Sequence, residues 1–178
     1  MPRKTKPIPL ARIKELFHCD PRTGLLKLRG PLGIAGSEPG YLNNIGYRQV
    51  YFDKKIYSVH RICWALYHDE NPTGEVDHIN GNRSDNRREN LRHATSSQNN
   101  QNRRLSVRNK TGVKGVFWVS NNKKQKAWWR VDIGHSHGQH YITHFHCFGQ
   151  AVKHARDMRL KLHADFANNG THAVSEAA

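Results

Sequence analysis

The segment from Glu75 to Asn102, EVDHINGNRSDNRRENLRHATSSQNNQN, constrains the fold of this chain more than any other. It breaks into short elements whose order is readable. Val76-Asp77-His78-Ile79 has the composition of a short strand, and Asn80-Gly81 is turn chemistry opening a polar loop. Asn90-Leu91-Arg92-His93-Ala94 is suited to return as a second strand. Thr95-Ser96-Ser97-Gln98 has capping-box spacing, which predicts a helix from near Ser96 to about Arg104. The predicted order is strand, loop, strand, helix.

Upstream, Leu10, Ile13, Leu16 and Phe17 fall at helical spacing in PLARIKELF, with a proline in the first turn. DPRTG at 20–24 is a turn, and LLKL after it a strand. Residues 29–44 are rich in Gly, Pro, Ser and Asn and are expected to form an irregular loop. A hairpin is predicted from Gly46–Asp53 and Ile56–His60 around a Lys54-Lys55 turn. A helix over Val59–His68 follows, ended by Asn71-Pro72.

Downstream, LSVRNKTG at 105–112 is polar and basic, and the linker is placed there. Three strand-like runs come next, 113–120, 127–133 and 140–148, with turns at Asn121-Asn122 and His137-Gly138. Residues 150–166 repeat Ala151, Ala155, Met158, Leu162 and Phe166 at steps of three and four, an amphipathic helix. The tail from Asn168 is expected to fray. The predicted domains are residues 1–106 and 107–178, in an α+β chain.

Charge narrows the partners. Lys and Arg total 29 against 14 Asp and Glu, a net charge of +15 over 178 residues. The excess is shared: +8 over residues 1–106 and +7 over 107–178. Such a chain calls for an anionic partner along its whole length, nucleic acid before an acidic membrane surface. Ile62 to Tyr67 is the longest apolar run near the middle, far short of the roughly 20 residues a spanning helix needs. The basic start lacks an apolar core, so no secretory signal is expected. Cys19, Cys63 and Cys147 are scattered without C-x2-C spacing, which fits a reducing interior and argues against a zinc ribbon. Hydrophobic residues make up 36%, so the cores must be small, yet 4 Trp, 6 Tyr and 6 Phe argue against a disordered chain.

Adjacent strand residues point to opposite faces, so Asp77 and His78 are expected to do two different jobs. A carboxylate meeting a helix-borne Asn99 can bind a hard divalent ion through oxygen, with phosphate and water supplying the remaining positions. The neighbouring imidazole can activate water, because its ordinary pKa of about 6.5 leaves it largely neutral.

These residues resemble the HNH endonucleases, the ββα-metal family. Asp77-His78, Asn90 twelve residues after His78, and Asn99 nine further carry the likeness. V-D-H-I-N-G-N, D-N-R-x-E-N-L-R-x-A-T and Q-N are similar to the homing-endonuclease branch of phages and mobile introns. YSVHRICWALYHDENPTGEVDHINGN extends the likeness upstream. The resemblance implies an N-terminal ββα-metal module that cuts duplex DNA to 5′-phosphate and 3′-hydroxyl ends. His78 would be the general base, and Asn90 would brace the loop and orient His78. Asp77 and Asn99 would hold one divalent cation, Mg2+ or alternatively Mn2+. Arg92, His93 or Arg103 would steady the phosphate. A phage or mobile-element gene expressed in the cytoplasm of a bacterial host is implied, as are no membrane, no small-molecule cofactor, and a monomer or homodimer. The zinc braces of some relatives are not expected here.

In the last section, alternation places Trp129, Val131 and Ile133 on one face of the middle strand and Trp128, Arg130 and Asp132 on the other. The first set suits a covering helix, with Trp118 and Trp129 packing in the core. The second suits DNA, where Arg and Asp read base edges and Trp stacks. N-K-T-G-V-K-G-V-F-W, W-W-R-V-D-I and the helix from Gln150 resemble the APETALA-type, ethylene-response-factor-like DNA-binding domain: a three-stranded antiparallel sheet on one helix. That resemblance makes Lys114, Trp128, Arg130 and Asp132 candidate DNA contacts, although Phe117 and Val119 stand where plant members carry arginines. His135, His137, His140, His144 and His146 read as hairpin histidines facing solvent or phosphate, and His60 and His68 as structural. Two rivals remain: a DNA-binding regulator with a vestigial nuclease motif, and a structural RNA-binding protein suggested by charge alone.

Overall fold

A computed structural model describes residues 7–30, 38–106, 108–121, 124, 126–135 and 138–170. It is a mixed α+β protein that divides into two compact units, one ending at Ser96 and the other beginning at Ser97.

The first unit opens with helix α1 (Leu10–Leu16), which leads into strand β1 (Phe17–Cys19). Strand β1 pairs antiparallel with β2 (Leu26–Leu28) across the Asp20–Gly24 turn. A second antiparallel sheet follows in the order β3 (Tyr41–Leu42), β4 (Arg48–Phe52), β5 (Lys55–Ser58). Its hairpin turns at Asp53-Lys54 rather than Lys54-Lys55; both residues have positive φ, +47° and +59°. A two-residue turn of this kind needs two left-handed residues, and aspartate tolerates that region better than most. The resulting register pairs Val50 with Tyr57 and buries both.

Helix α2 (Val59–His68) runs over the predicted residues and buries Val59, Ile62, Cys63, Trp64 and Ala65. It ends at Asp69, which turns left-handed at φ +58°, ahead of the expected Asn71-Pro72 stop. Asn71 is used elsewhere: its side chain bonds the backbone N–H and carbonyl of Ile8, at 2.7 and 3.0 Å. Strand β6 (Glu75–His78) then pairs antiparallel with β7 (Leu91–Ala94), which a 3₁₀ turn at Arg88–Asn90 precedes. Val76 and Leu91 join Ile13, Phe17, Leu26 and the buried face of α2 in one core.

Helix α3 (Ser96–Gln101) is shorter than predicted and begins where the units divide. The domain boundary expected after residue 106 differs from this division, and residues 101–103 bond within the second unit. The Lys114 ammonium donates to the carbonyls of Gln101 and Arg103, and the Asn168 amide to that of Asn102. Asn168, where the tail was expected to begin fraying, is thus buried and anchored, while residues 171–178 of that tail lie outside the described residues. Nor is the expected linker loose: the Thr111 hydroxyl donates to the carbonyls of Val113 and Val116, and the Asn109 amide to that of Val113.

The second unit is an antiparallel sheet of β8 (Val116–Asn121), β9 (Lys126–Gly134) and β10 (His140–Phe145), with β9 central. Helix α4 (Phe148–His163) packs against it. Val116, Val131 and Ile133 meet Ala151 and Ala155 in a second, smaller core. Gly115, at φ +70°, lets the chain approach β9; a Cβ there would lie 2.7 Å from the carbonyl oxygen of Asp132. Asn122 and His137, half of each predicted turn, fall outside the described residues. Among the described residues no helix is long and apolar enough to cross a membrane.

Candidate active site

Strand β6 delivers Asp77 and His78 to opposite faces, as its alternation requires. Asp77 stands opposite Arg92 in the ladder, and His78 opposite Leu91. Both are buried, at 6% and 3% exposure. Burying a carboxylate is costly unless it is paired. Here the Arg92 side chain donates from both Nε and Nη2 to Asp77 Oδ2, each at 2.9 Å. Arg92, expected to steady a phosphate, is thus placed to hold the carboxylate.

The His78 ring is hydrogen-bonded through Nε2 to Oδ1 of Asn86, at 3.0 Å. Tyr47 and His60 pack around it, with ring centroids 6.0 and 5.2 Å away. Burial pushes the His78 pKa below the ordinary imidazole value, although the Asn86 bond and the charge of Asp77 act the other way. The ring is therefore neutral near pH 7, as a proton acceptor must be. His60, expected to be structural, is buried at Nδ1, and its pKa is held well down by burial and by His78.

Asn90 is hydrogen-bonded across the loop between β6 and β7. Its Oδ1 accepts the Asn80 N–H at 2.9 Å, and its Nδ2 donates to Asn80 Oδ1 and to the Asp85 carbonyl. Its backbone carbonyl accepts the Ile79 N–H, closing the loop from β6 to β7. The His78 ring bonds Asn86, which the sequence reading did not single out. The signal lay in the motif itself: D-N-R-x-E-N contains two asparagines four residues apart, and only the second was assigned a role. Asn99 lies on α3, half-buried, on the far side of the division between the units. His93 stacks on Trp64 at 4.2 Å, and His68 stacks on the same indole at 4.4 Å.

In the second unit, Trp128, Arg130 and Asp132 share the face of β9 away from the buried Val131 and Ile133. Arg130 is ion-paired with Asp132, whose other oxygen bonds His140 Nδ1 at 2.6 Å. Trp128 meets His144 edge-on at 5.8 Å. Lys114 is partly buried between the carbonyls of Gln101 and Arg103, at 2.7 Å from each. Burial and the nearby Arg159 and Arg103 guanidiniums lower its pKa to about 8. Arg103 is exposed. Trp129 is half-buried on the core side, but Trp118, expected in the core, is 53% exposed. It lies beside Trp129 in the ladder, where the start of α4 covers Trp129 through Phe148 at 4.5 Å.

Residues 57–101 match the family model described as HNH endonuclease. The match spans β5 through α3 and includes Asp77, His78, Asn86, Asn90 and Asn99. It supports placing this part of the chain in the HNH family, whose activity class is a nuclease acting on DNA and generally using a divalent metal. No curated protein and no solved structure matches the chain.

Among the described residues no three His, Cys, Asp or Glu side chains gather as a metal cage. The donors offered by the motif are a carboxylate oxygen and an amide oxygen, which suit a hard cation completed by water and phosphate.

Proposed function

We propose that the protein is a metal-dependent endonuclease of the HNH homing type, hydrolysing phosphodiester bonds in duplex DNA to 5′-phosphate and 3′-hydroxyl ends. The observation that carries this reading is the buried His78, hydrogen-bonded to Asn86 and next to a buried carboxylate at the adjacent position of β6. That pairing lies inside the segment that matches the HNH family.

In this reading the β6–β7–α3 segment works as a ββα-metal module. His78 accepts a proton from the attacking water, contributing about 10²- to 10⁴-fold as general bases do. Asp77, held by Arg92, and Asn99 are the residues that would hold one divalent cation, Mg2+ or Mn2+. When bound, that ion supplies positive charge to the scissile phosphate and the departing 3′ oxygen. Asn90 keeps the loop closed so that His78 stays in place. The β8–β10 sheet acts as an APETALA-type DNA-binding domain, presenting Trp128, Arg130 and Asp132, with Lys114 and Arg103 adding positive charge. The protein works in the cytoplasm of a bacterial host, encoded by a phage or mobile element, as a monomer or homodimer without a small-molecule cofactor.

The test is incubation of the purified protein with supercoiled plasmids in Mg2+, repeated with EDTA and with His78→Ala. Metal-dependent conversion to nicked or linear DNA is expected, lost in both controls. Intact folded protein that binds DNA but cuts none of a diverse plasmid set in Mg2+ or Mn2+ would instead make it a regulator with a vestigial motif.

A further inference from the structure

We propose that the cavity between the Asp20–Gly24 turn and the 3₁₀ turn at Arg88–Asn90 binds a backbone phosphate of the DNA duplex, gripped by Arg22 and Arg88. This rests on the reading of duplex DNA as the partner, and adds a contact that neither the β6–β7 centre nor the β9 face includes.

The cavity has a volume of about 550 Å³, opens to solvent, and is lined by Pro21, Arg22, His68, Arg88, Glu89 and Leu91. Its polar wall is basic. Both arginines are exposed, and among the described residues neither guanidinium is paired with a carboxylate. The acid on the wall, Glu89, is already held by Arg87 at 2.7 Å. Two planar guanidiniums suit a phosphate, whose oxygens accept paired hydrogen bonds from each fork. Pro21 and Leu91 offer too little apolar lining for an uncharged ligand, whose sites are mostly hydrophobic.

The two arginines stand on turns that are tied together. The Arg22 N–H donates to Asp20 Oδ1 at 2.9 Å, which fixes the first turn. The Arg88 N–H donates to the Pro21 carbonyl at 3.0 Å, and the Tyr67 hydroxyl lies 3.1 Å from the carbonyl oxygens of both Asp20 and Asn86. Gly24, at φ +72°, lets the turns close up; a Cβ there would lie 2.4 Å from the Arg87 nitrogen. With both backbones fixed, little beyond the two side chains is ordered on binding. Leu91 is the ladder partner of His78, so a duplex seated at His78 has another phosphate within reach of the cavity.

His68 supplies a reporter. Its ring stacks on Trp64, and burial together with the charges of Arg88 and His93 lowers its pKa, with Glu70 acting the other way. A phosphate in the cavity opposes those positive charges and raises it.

The experiment is anisotropy titration of the full-length protein with labelled duplexes in EDTA, across a salt series, beside NMR titration of the His68 ring. Arg22→Ala combined with Arg88→Ala should weaken binding about 10-fold on every sequence tried. The slope of log K against log salt should become shallower by about 1. Arg22→Lys with Arg88→Lys should keep the native slope and recover only part of the affinity, since the charge remains but the forks are lost. In the native protein, added duplex should raise the His68 pKa. Unchanged affinity and slope in the double alanine variant would overturn the proposal. So would a His68 pKa indifferent to duplex, a measurement that needs no variant to fold. A pKa raised by inorganic phosphate but not by duplex would make the cavity a free-anion site and overturn the DNA assignment. Native protein that binds no duplex would sink the DNA reading itself, whereas full-strength binding by the double alanine variant sinks only this contact.

Discussion

The two β-sheets that carry the candidate functional residues handle polar side chains in opposite ways. On the β6–β7 ladder and its loop, Asp77, His78, Asn86 and Asn90 are buried, and each has a bonded partner. On the outer face of β9, Arg130, Asp132 and Trp128 stay partly open, and the two charges neutralise each other across one strand position. A buried, fully bonded network is rigid, and rigidity is what proton transfer to one nitrogen demands. An open ion pair can exchange its partner for a phosphate or a base edge at small cost, since exposed pairs are worth little. In the proposed function, the first surface suits chemistry and the second suits binding.

The sharpest way to break this contrast is to remove one group from each surface. Asp77→Ala should abolish cleavage and leave DNA affinity nearly intact, as judged by plasmid nicking beside fluorescence anisotropy. An equal loss of binding would mean that the β6–β7 surface serves affinity after all. A second pair compares the cores. Ile62→Ala in the larger core should cost about 2–5 kcal/mol by urea denaturation, and Ile133→Ala in the smaller one should sit toward the low end of that range.

Arg130→Ala should weaken DNA binding by about 1–3 kcal/mol, an effect on Kd measured by titration. No change in Kd would remove β9 from the interface. In salt titrations, about six neutralised phosphates give a slope near −5 for log K against log salt.

The smallest effect is on acid stability. Burial lowers the pKa of His60, His68 and His78 in the first unit and of His163 in the second. Below about pH 6.5 the unfolded chain takes up protons that these folded rings refuse. Stability held at neutral pH is therefore lost as pH falls, more steeply in the unit with three such rings. Urea midpoints followed from pH 7 downward for each unit's own signals measure this, and equal slopes would deny the first unit its extra burden.

Short-range patterns carried much of this molecule. Helix α2, the β6–β7 pair and the amphipathic α4 follow from apolar spacing and turn residues, because those signals act within a few positions. Asp77, His78, Asn90 and Asn99 were legible from motif spacing, and the β9 face from strict alternation. Asn86 lay in the same motif but was not singled out, since spacing does not say which asparagine meets the ring; its contacts are with a ring eight residues away and a turn more than sixty residues earlier. Lys114 was a candidate DNA contact, yet two carbonyls accept from its ammonium. Trp118 looked like core, yet it lies at the margin of the helix-covered area and stays exposed.

The amino-acid order by itself determined which elements form, the basic character of both ends, and the residue types at the candidate centre, because propensity, periodicity and charge are properties of neighbours along the chain. Tertiary structure alone decided that His78 meets Asn86, that Arg92 meets Asp77, and which cations are already engaged. Those outcomes depend on atoms brought within about 3 Å by packing, and hydrogen bonding has no longer reach than that.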